Sequence, residues 1–398
     1  MPVNRIPIKV SKEAERAIRR GHPWVFENSI SKISDTAKTG DIAIIFDQKR
    51  NQFLALGLID LESPIRIKMV HYGKPKIIDL EFWKEKLHRS LDIRAPLLKT
   101  DTNAFRLIHG ENDGMPSLIV DVYNQVVVVK IYSGLWIPYL ADIYNLMNDL
   151  MQPAAIIQRL GRVVYQNYDL EDGAIVKGTL ENEKVQYREH GVLFSTNVIH
   201  GHKTGSFLDH RHNRLRVSQL SKDKSVLDVF SYAGGFSVHA AVGGALEVTS
   251  LDISQQALNA AVENMALNTY STNHQILRMD AFKGLEEFIK KRKMFDLVIV
   301  DPPSFAKKES EIEGAINSYT RLARLASRLV TKNGIIVLAS CSSRVNDDSF
   351  FEACEKGLNS RFSHFSLFEK TFHDIDHPIS FPEGAYLKCG YWATIDRR

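Results

Sequence analysis

The side chains in this sequence best suited to chemistry are one cysteine and a series of acids, each delivered by an apolar run. Phe295-Asp-Leu-Val-Ile-Val-Asp-Pro-Pro-Ser-Phe-Ala306 reads as a buried strand that carries Asp301 to its end, with two prolines fixing the backbone beyond it. Pro302 and Pro303 donate no N–H, which leaves their carbonyls to accept from a nucleobase amino group. A merely rigid loop is the alternative. Gly334-Ile-Ile-Val-Leu-Ala-Ser340 ends at Cys341, on the same predicted sheet edge. A thiol has a pKa of about 8.5, so attack by Cys341 requires surroundings that favour thiolate. Without them a lone cysteine is a small buried hydrophobe, which is how Cys354 and Cys389 read.

A second group of acids lies upstream. Val226-Leu-Asp-Val-Phe-Ser-Tyr-Ala-Gly-Gly-Phe-Ser-Val-His-Ala-Ala241 reads as a strand, a Ser/Gly turn holding Gly234 and Gly235, and a helix start. Such a junction aims backbone N–H groups at a ligand and lets the chain approach it closely. An ordinary strand-to-helix turn is the alternative. Asp228, Asp252 and Asp280 fall at the ends of successive predicted strands, where open α/β sheets bind ligands. Asp252 follows Asp228 by 24 residues, which suits a grip on ribose hydroxyls. Asp280 can accept from an adenine amino group. The turn Ala233-Gly234-Gly235-Phe236 lacks the third spaced glycine of the dinucleotide fingerprint. An adenosine without phosphates is therefore favoured over NAD.

Positioning these residues takes alternating strands and helices. Strands are predicted at 225–230, 247–251, 275–278, 295–300 and 334–339, with helices at 236–243, 255–268, 281–292 and 316–331. That alternation specifies a doubly wound, mostly parallel sheet in an α/β domain spanning 186–398. Residues 1–75 read as a small β-barrel unit, with a helix at Ser11–Arg20 and strands at Asp41–Phe46, Phe53–Ile59 and a half-buried Ile65–Val70. After a hinge at Gly73–Lys76, residues 76–185 read as a small α+β connecting domain of mainly structural role. Its expected elements are helices at Leu80–Ile93 and Trp136–Met151, a turn-rich loop at Arg106–Pro116, and a hairpin of Ser117–Asp121 with Gln125–Ile131.

Composition narrows the classes. The 398 residues are 44% hydrophobic and 25% charged, ordinary values for a soluble globular protein. Met1–Arg20 is basic without the apolar stretch of a signal peptide, and no apolar run approaches the roughly 18 residues of a bilayer span. Three widely spaced cysteines form neither a disulfide framework nor a zinc pattern, so a reducing cytoplasm is expected. His200, His202, His210 and His212 cluster with arginines and lysines and lack the acids or cysteines of a metal site, which disfavours a metal-dependent hydrolase. The net charge is +4, with a surplus of five positive residues in 1–75. That suggests a polyanion-binding appendage, or simply a solvated charged face.

Residues 1–75 resemble the PUA domain, a pseudo-barrel RNA-binding module, through Gly21-His-Pro-Trp-Val-Phe26 and Thr39-Gly40-Asp41. Asp228–Gly235, Asp252, Asp280, Asp301-Pro-Pro-Ser304 and Ser340-Cys-Ser342 look like the ordered motifs of class I S-adenosylmethionine-dependent methyltransferases, whose domain is Rossmann-like. Gly201-His-Lys-Thr-Gly205 through Leu208-Asp-His-Arg211 is similar to the RlmI-type ribosomal RNA large-subunit cytosine-5 methyltransferases. Arg106–Pro116, Asp376-His-Pro378 and Phe381-Pro-Glu-Gly384 match that family too, so the likeness spans nearly the whole chain.

The resemblance implies S-adenosylmethionine as cofactor and ribosomal RNA as partner. Cofactor contacts would come from Phe207, Arg211, Asp228, Phe230, Ala233, Gly234, Gly235, Asp252, Ile253, Asp280, Ala281 and Asp301, with Phe207 and Arg211 at the methionine end. Lys203, Pro302 and Pro303 would meet the substrate. Cys341 would add to carbon-6 of cytosine, giving an enamine whose carbon-5 attacks the sulfonium methyl. Asp301 would steady or protonate the ring nitrogen. Many relatives carry a second cysteine after the proline of the Asp-Pro loop, where this chain has Ser304, and His210 stands where relatives often have Gln. Two rival readings are purine N-methylation with Cys341 a bystander, and a non-catalytic RNA-binding protein. An exposed edge strand in the middle domain could pair two copies as a homodimer.

Overall fold

In the computed structural model, which describes residues 3–359 and 364–394, the first strand, β1 (Arg5–Val10), alternates strictly and turns Ile6, Ile8 and Val10 inward. Helix α1 (Lys12–Arg19) starts where the Ser11 side chain accepts from the Ala14 N–H. Strands β2 (Trp24–Val25), β3 (Ile30–Lys32), β4 (Ile42–Phe46), β5 (Phe53–Ile59) and β6 (Ile67–Tyr72) complete a six-stranded sheet in the order β2-β6-β5-β4-β1-β3. Ile8, Ile18, Ile45, Ile59 and Met69 form its core. The expected alternation in β6 fails at Lys68, which is buried with its Nζ 2.5 Å from Asp60 Oδ2. A buried ammonium is tolerated because a carboxylate meets it.

Helix α2 (Leu80–Leu98), capped by Asp79, runs further than the sequence suggests. Its last turns bury Arg94, which makes two bonds to Asp113 at 2.8 and 2.7 Å. Strands β7 (Ala104–His109), β8 (Leu118–Tyr123) and β9 (Val126–Ile131), helix α3 (Leu140–Met151), strand β10 (Ala155–Leu160), helix α4 (Arg162–Asn167) and strand β11 (Ile175–Gly178) follow. The sheet order is β11-β10-β9-β8-β7. The expected Arg106–Pro116 loop therefore begins inside a strand, because Arg106 reaches across to Asp121 with bonds of 2.8 and 3.0 Å. The expected helix at 136 starts as a 3₁₀ turn, Gly134–Tyr139, where Pro138 has no N–H to give. One hydrophobic cluster joins Ile42, Leu58 and Val70 to Trp83, Val129 and Trp136. Residues Met1–Arg188, Thr196–Leu208 and Ile375–Pro382 accordingly form one compact unit.

The second unit comprises Glu189–Ser195, Asp209–Asp374 and Glu383–Arg398. After a hairpin of β12 (Lys184–Glu189) and β13 (Val192–Asn197) comes helix α5 (Arg211–Leu220). Strands β14 (Ser225–Val229), β15 (Glu247–Asp252), β16 (Asn273–Arg278), β17 (Phe295–Val300) and β18 (Val330–Ser340) then alternate with helices α6 (Gly235–Val242), α7 (Gln255–Ala266), α8 (Ala281–Lys290) and α9 (Ile312–Ser327). Helix α10 (Asp347–Leu358) and strands β19 (Phe365–Thr371) and β20 (Lys388–Thr394) close the order β16-β15-β14-β17-β18-β20-β19. The expected Rossmann-like sheet is present. Neighbours from β16 to β18 pair in parallel, while β20 and β19 are antiparallel. The chain leaves β14 toward β15 and later returns to its other side at β17, which makes a topological switch point between those two strands.

Candidate active site

The loop from β14 to α6 is held in a costly backbone shape. Phe230 and Tyr232 have φ of 64° and 48°, and Gly234 has 78°. Side-chain-bearing residues adopt this left-handed region only under constraint. A Cβ on Gly234 would lie 2.9 Å from the Ala261 Cβ, so glycine is required there for space as well as conformation. The constraint is supplied by acids. Asp252 Oδ2 accepts from the Tyr232 N–H at 2.9 Å and its Oδ1 from the Ser254 N–H at 2.8 Å. Asp228 is buried, with Oδ2 accepting from the Ser237 N–H and hydroxyl at 3.0 and 2.6 Å. Burial pushes its carboxyl up to about 7, against the two Ser237 bonds and with help from the charges of Asp301 and Asp252.

Asp280 caps α8, one oxygen accepting from the Lys283 N–H at 3.1 Å, with Ala281 the first helical residue. Ile253 is 68% exposed beside Asp252. Asn264 was not foreseen. Its Nδ2 donates to the Ala233 carbonyl at 3.0 Å and its Oδ1 accepts from the Ser195 N–H at 2.9 Å, so α7 pins the turn. Only the packing of α7 against this turn makes that asparagine special.

Across the switch point, Asp301 follows β17 with its side chain a quarter exposed, and Cys341 follows β18 half-buried. The Cys341 Sγ lies 3.9 Å from the Pro302 carbonyl, so the thiol and the Asp-Pro-Pro loop are neighbours. Pro302 is buried and Pro303 exposed. The Ser304 hydroxyl donates to the Ala306 carbonyl at 3.2 Å. Lys388, on the antiparallel β20, is buried, and its Nζ donates to the Ser342 carbonyl at 2.6 Å and to that of Val345. Burial lowers its pKa to about 8, opposed by Asp347 and the Cys341 sulfur. It thus holds the loop that follows the thiol, a role that no motif in the sequence announces.

Arg211 is fully buried at the start of α5, and its Nη2 donates to Asp374 at 2.8 Å, so that carboxylate is one partner of the guanidinium. Behind it, Arg214 grips Glu189 at 2.6 and 2.7 Å, with its Cδ beneath Gly235. Lys203 and Phe207 belong to the first unit, where the ammonium lies 4.3 Å from the ring centroid. Among the described residues no three His, Cys, Asp or Glu side chains gather as a metal site, and no helix is long and apolar enough to cross a membrane.

A parallel sheet with a strained glycine turn at its switch point and acids at successive strand ends defines the class I methyltransferase fold. The chain belongs to the S-adenosylmethionine-dependent methyltransferase family, in its RlmI-type branch with a PUA-like domain. The family model for S-adenosylmethionine-dependent methyltransferases matches residues 105–381, and that for a PUA-like domain matches residues 8–72. The chain is 40% identical to a Deinococcus radiodurans protein named "Ribosomal RNA large subunit methyltransferase", over 97% of this chain and 96% of that protein. It is 33% identical to a "Ribosomal RNA large subunit methyltransferase I" of Alteromonas mediterranea, over 94% and 95%. In fold it is similar to a chain described as a methyltransferase and solved with S-adenosylhomocysteine, at a TM-score of 0.83, 20% identity, and 98% and 100% coverage. A Streptococcus mutans chain described as an S-adenosylmethionine-dependent methyltransferase superposes at 0.82, with 19% identity, 98% of this chain and 100% of that one.

The cofactor is S-adenosylmethionine, and the residues present fit it. Asp228 Oδ1 and Ser231 Oγ are buried without a hydrogen-bond partner among the described residues, and the Gly234 turn allows close approach.

Proposed function

We propose that this protein methylates carbon-5 of a cytosine in large-subunit ribosomal RNA, with Cys341 as nucleophile. The relatives' names support the substrate class. The observation that carries the chemistry is the position of Cys341, whose sulfur lies 3.9 Å from the Pro302 carbonyl and so beside the loop that presents Asp301. Carbon-5 of cytosine is a weak nucleophile. Addition of the Cys341 thiolate to carbon-6 forms an S–C bond and moves the ring's electron pair to carbon-5, which takes the methyl; loss of the carbon-5 proton to a base then restores the double bond, breaks the S–C bond and returns the thiolate. Bound S-adenosylmethionine supplies an electrophilic methyl on a sulfonium sulfur. Asp301 steadies the nitrogen edge of the ring by accepting from the exocyclic amino group. Pro303, exposed beside it, and Lys203 in the first unit are the proposed base and RNA contacts. Phe230, Ala233, Gly235, Ile253 and Ala281 are proposed to line the cofactor, with Asp252 on the ribose and Asp280 on the adenine.

We also propose the three-part division at 1–75, 76–185 and 186–398, and action in the cytoplasm, where ribosomal RNA is found. RNA carrying 5-fluorocytosine at the target separates the readings. The thiol route leaves a denaturation-resistant protein–RNA adduct that is absent with Cys341→Ala. A methylated purine in digested RNA, with no adduct, would overturn the proposal.

A further inference from the structure

We infer that His210 is a positioning residue that orients Asp301 as a hydrogen-bond acceptor, so that the site selects a base bearing an exocyclic amino group. The inference rests on the cytosine reading above. His210 is 4% exposed, and its Nε2 has no hydrogen-bond partner among the described residues, yet lies 3.4 Å from Asp301 Oδ1. That places an Nε2–H against the carboxylate, at a distance longer than a tight charge-assisted hydrogen bond.

The other ring nitrogen fixes where the proton sits. Asn213 Nδ2 lies 3.0 Å from His210 Nδ1. The amide has its oxygen turned the opposite way, where Oδ1 accepts from the Thr371 hydroxyl at 2.5 Å and the Tyr391 hydroxyl at 2.8 Å. With the oxygen so held, the amide presents an N–H to Nδ1, which must accept. The ring proton is thereby assigned to Nε2, facing Asp301. The Phe236 ring, with centroids 5.5 Å apart, covers the imidazole edge-on.

The charged groups around the ring have other commitments. Asp209 accepts from the Tyr386 hydroxyl at 3.0 Å, Arg214 is taken by Glu189, and His212 has a pKa lowered to about 4 by burial. Asp301 is therefore the acid that His210 addresses.

An N–H facing Oδ1 turns the carboxylate so that its oxygens are presented as acceptors. Its remaining oxygen then suits the amino group of cytosine. It opposes the carbonyl that uracil carries at the same place, leaving two acceptors face to face.

The test uses the full-length enzyme and RNA with cytosine or uracil at the target, comparing His210→Leu, which removes the donor, with His210→Gln, which keeps an N–H. Expected for His210→Leu is a kcat lower by roughly 10²-fold, with KM and S-adenosylmethionine affinity changed less than threefold. Its preference for cytosine over uracil should fall at least about tenfold. His210→Gln should recover most of both. Wild-type kcat and preference in His210→Leu, or equal damage in His210→Gln, would overturn the inference. Should His210→Leu fail to fold, the double variant Tyr391→Phe/Thr371→Val releases the Asn213 amide and should lower kcat several-fold at constant KM; no change there overturns it equally. Cys341→Ala distinguishes the two levels. An inactive Cys341→Ala beside an unaffected His210→Leu sinks only the role of His210, whereas an active Cys341→Ala sinks the cytosine reading itself.

Discussion

The two halves of the parallel sheet, on either side of the β14–β17 switch, secure their functional side chains differently. In the β14–β16 half the acids are tied to nearby backbone. Asp252 takes the N–H groups of Tyr232 and Ser254, Asp280 takes that of Lys283, and Asp228 that of Ser237. In the β17–β18 half the partners come from far along the chain. His210 lies against Asp301, and Lys388 grips the loop that follows Cys341. The first half is a preformed cradle in which acids shape the loops. The second is the proposed reactive centre, whose groups are met by remote side chains, and such support is what holds a catalytic geometry to a fraction of an ångström.

The contrast can be broken by substitution. The largest effect should come from Cys341→Ala. Turnover on RNA should drop by roughly 10⁴-fold or more while calorimetric binding of S-adenosylmethionine stays near wild type. Loss of cofactor binding would instead mean that the halves are not separable. Asp301→Asn should follow, with kcat lowered by about 10²–10³-fold, read in single-turnover methylation. A near-normal rate would place Asp301 outside the chemistry.

Asp228→Asn tests the cradle through pH. The folded carboxyl, raised to about 7 chiefly by burial, lies above its unfolded value of about 3.9, so the folded state binds the proton more tightly. Its contribution is fully present below pH ~4 and is lost as the pH rises toward 7, at a cost of about 4 kcal/mol in the wild type. Asparagine cannot ionise. Chemical denaturation of the variant without cofactor should therefore lose less stability than the wild type between those limits, and parallel pH curves would refute the burial argument. The smallest effect belongs to Gly234→Ala, where φ of 78° and the 2.9 Å approach to Ala261 should cost roughly 1–3 kcal/mol and weaken cofactor binding. Unchanged cofactor affinity would detach this turn from the site.

What could be foreseen follows the same division. The strands and helices around Asp228, Asp252, Asp280 and Asp301 were predictable because apolar runs and glycine turns are local signals. Element ends were less legible. Lys68 reads as the polar side of an alternating strand until Asp60 is placed against it, and Arg106 reads as loop until Asp121 draws it into a sheet. Asn264, Lys388 and His210 carry no motif, since each matters only through a partner brought close by folding.

The sequence by itself determined the order of elements, the glycine turn and the placing of acids and a cysteine at strand ends, because periodicity and backbone preference are written residue by residue. Tertiary structure alone decided which side chains support them. The antiparallel return of β20 sets Lys388 beneath the loop after Cys341, and α5 sets His210 against Asp301. Contacts between residues so far apart in the chain depend on how strands stack and helices cross, which no local pattern encodes.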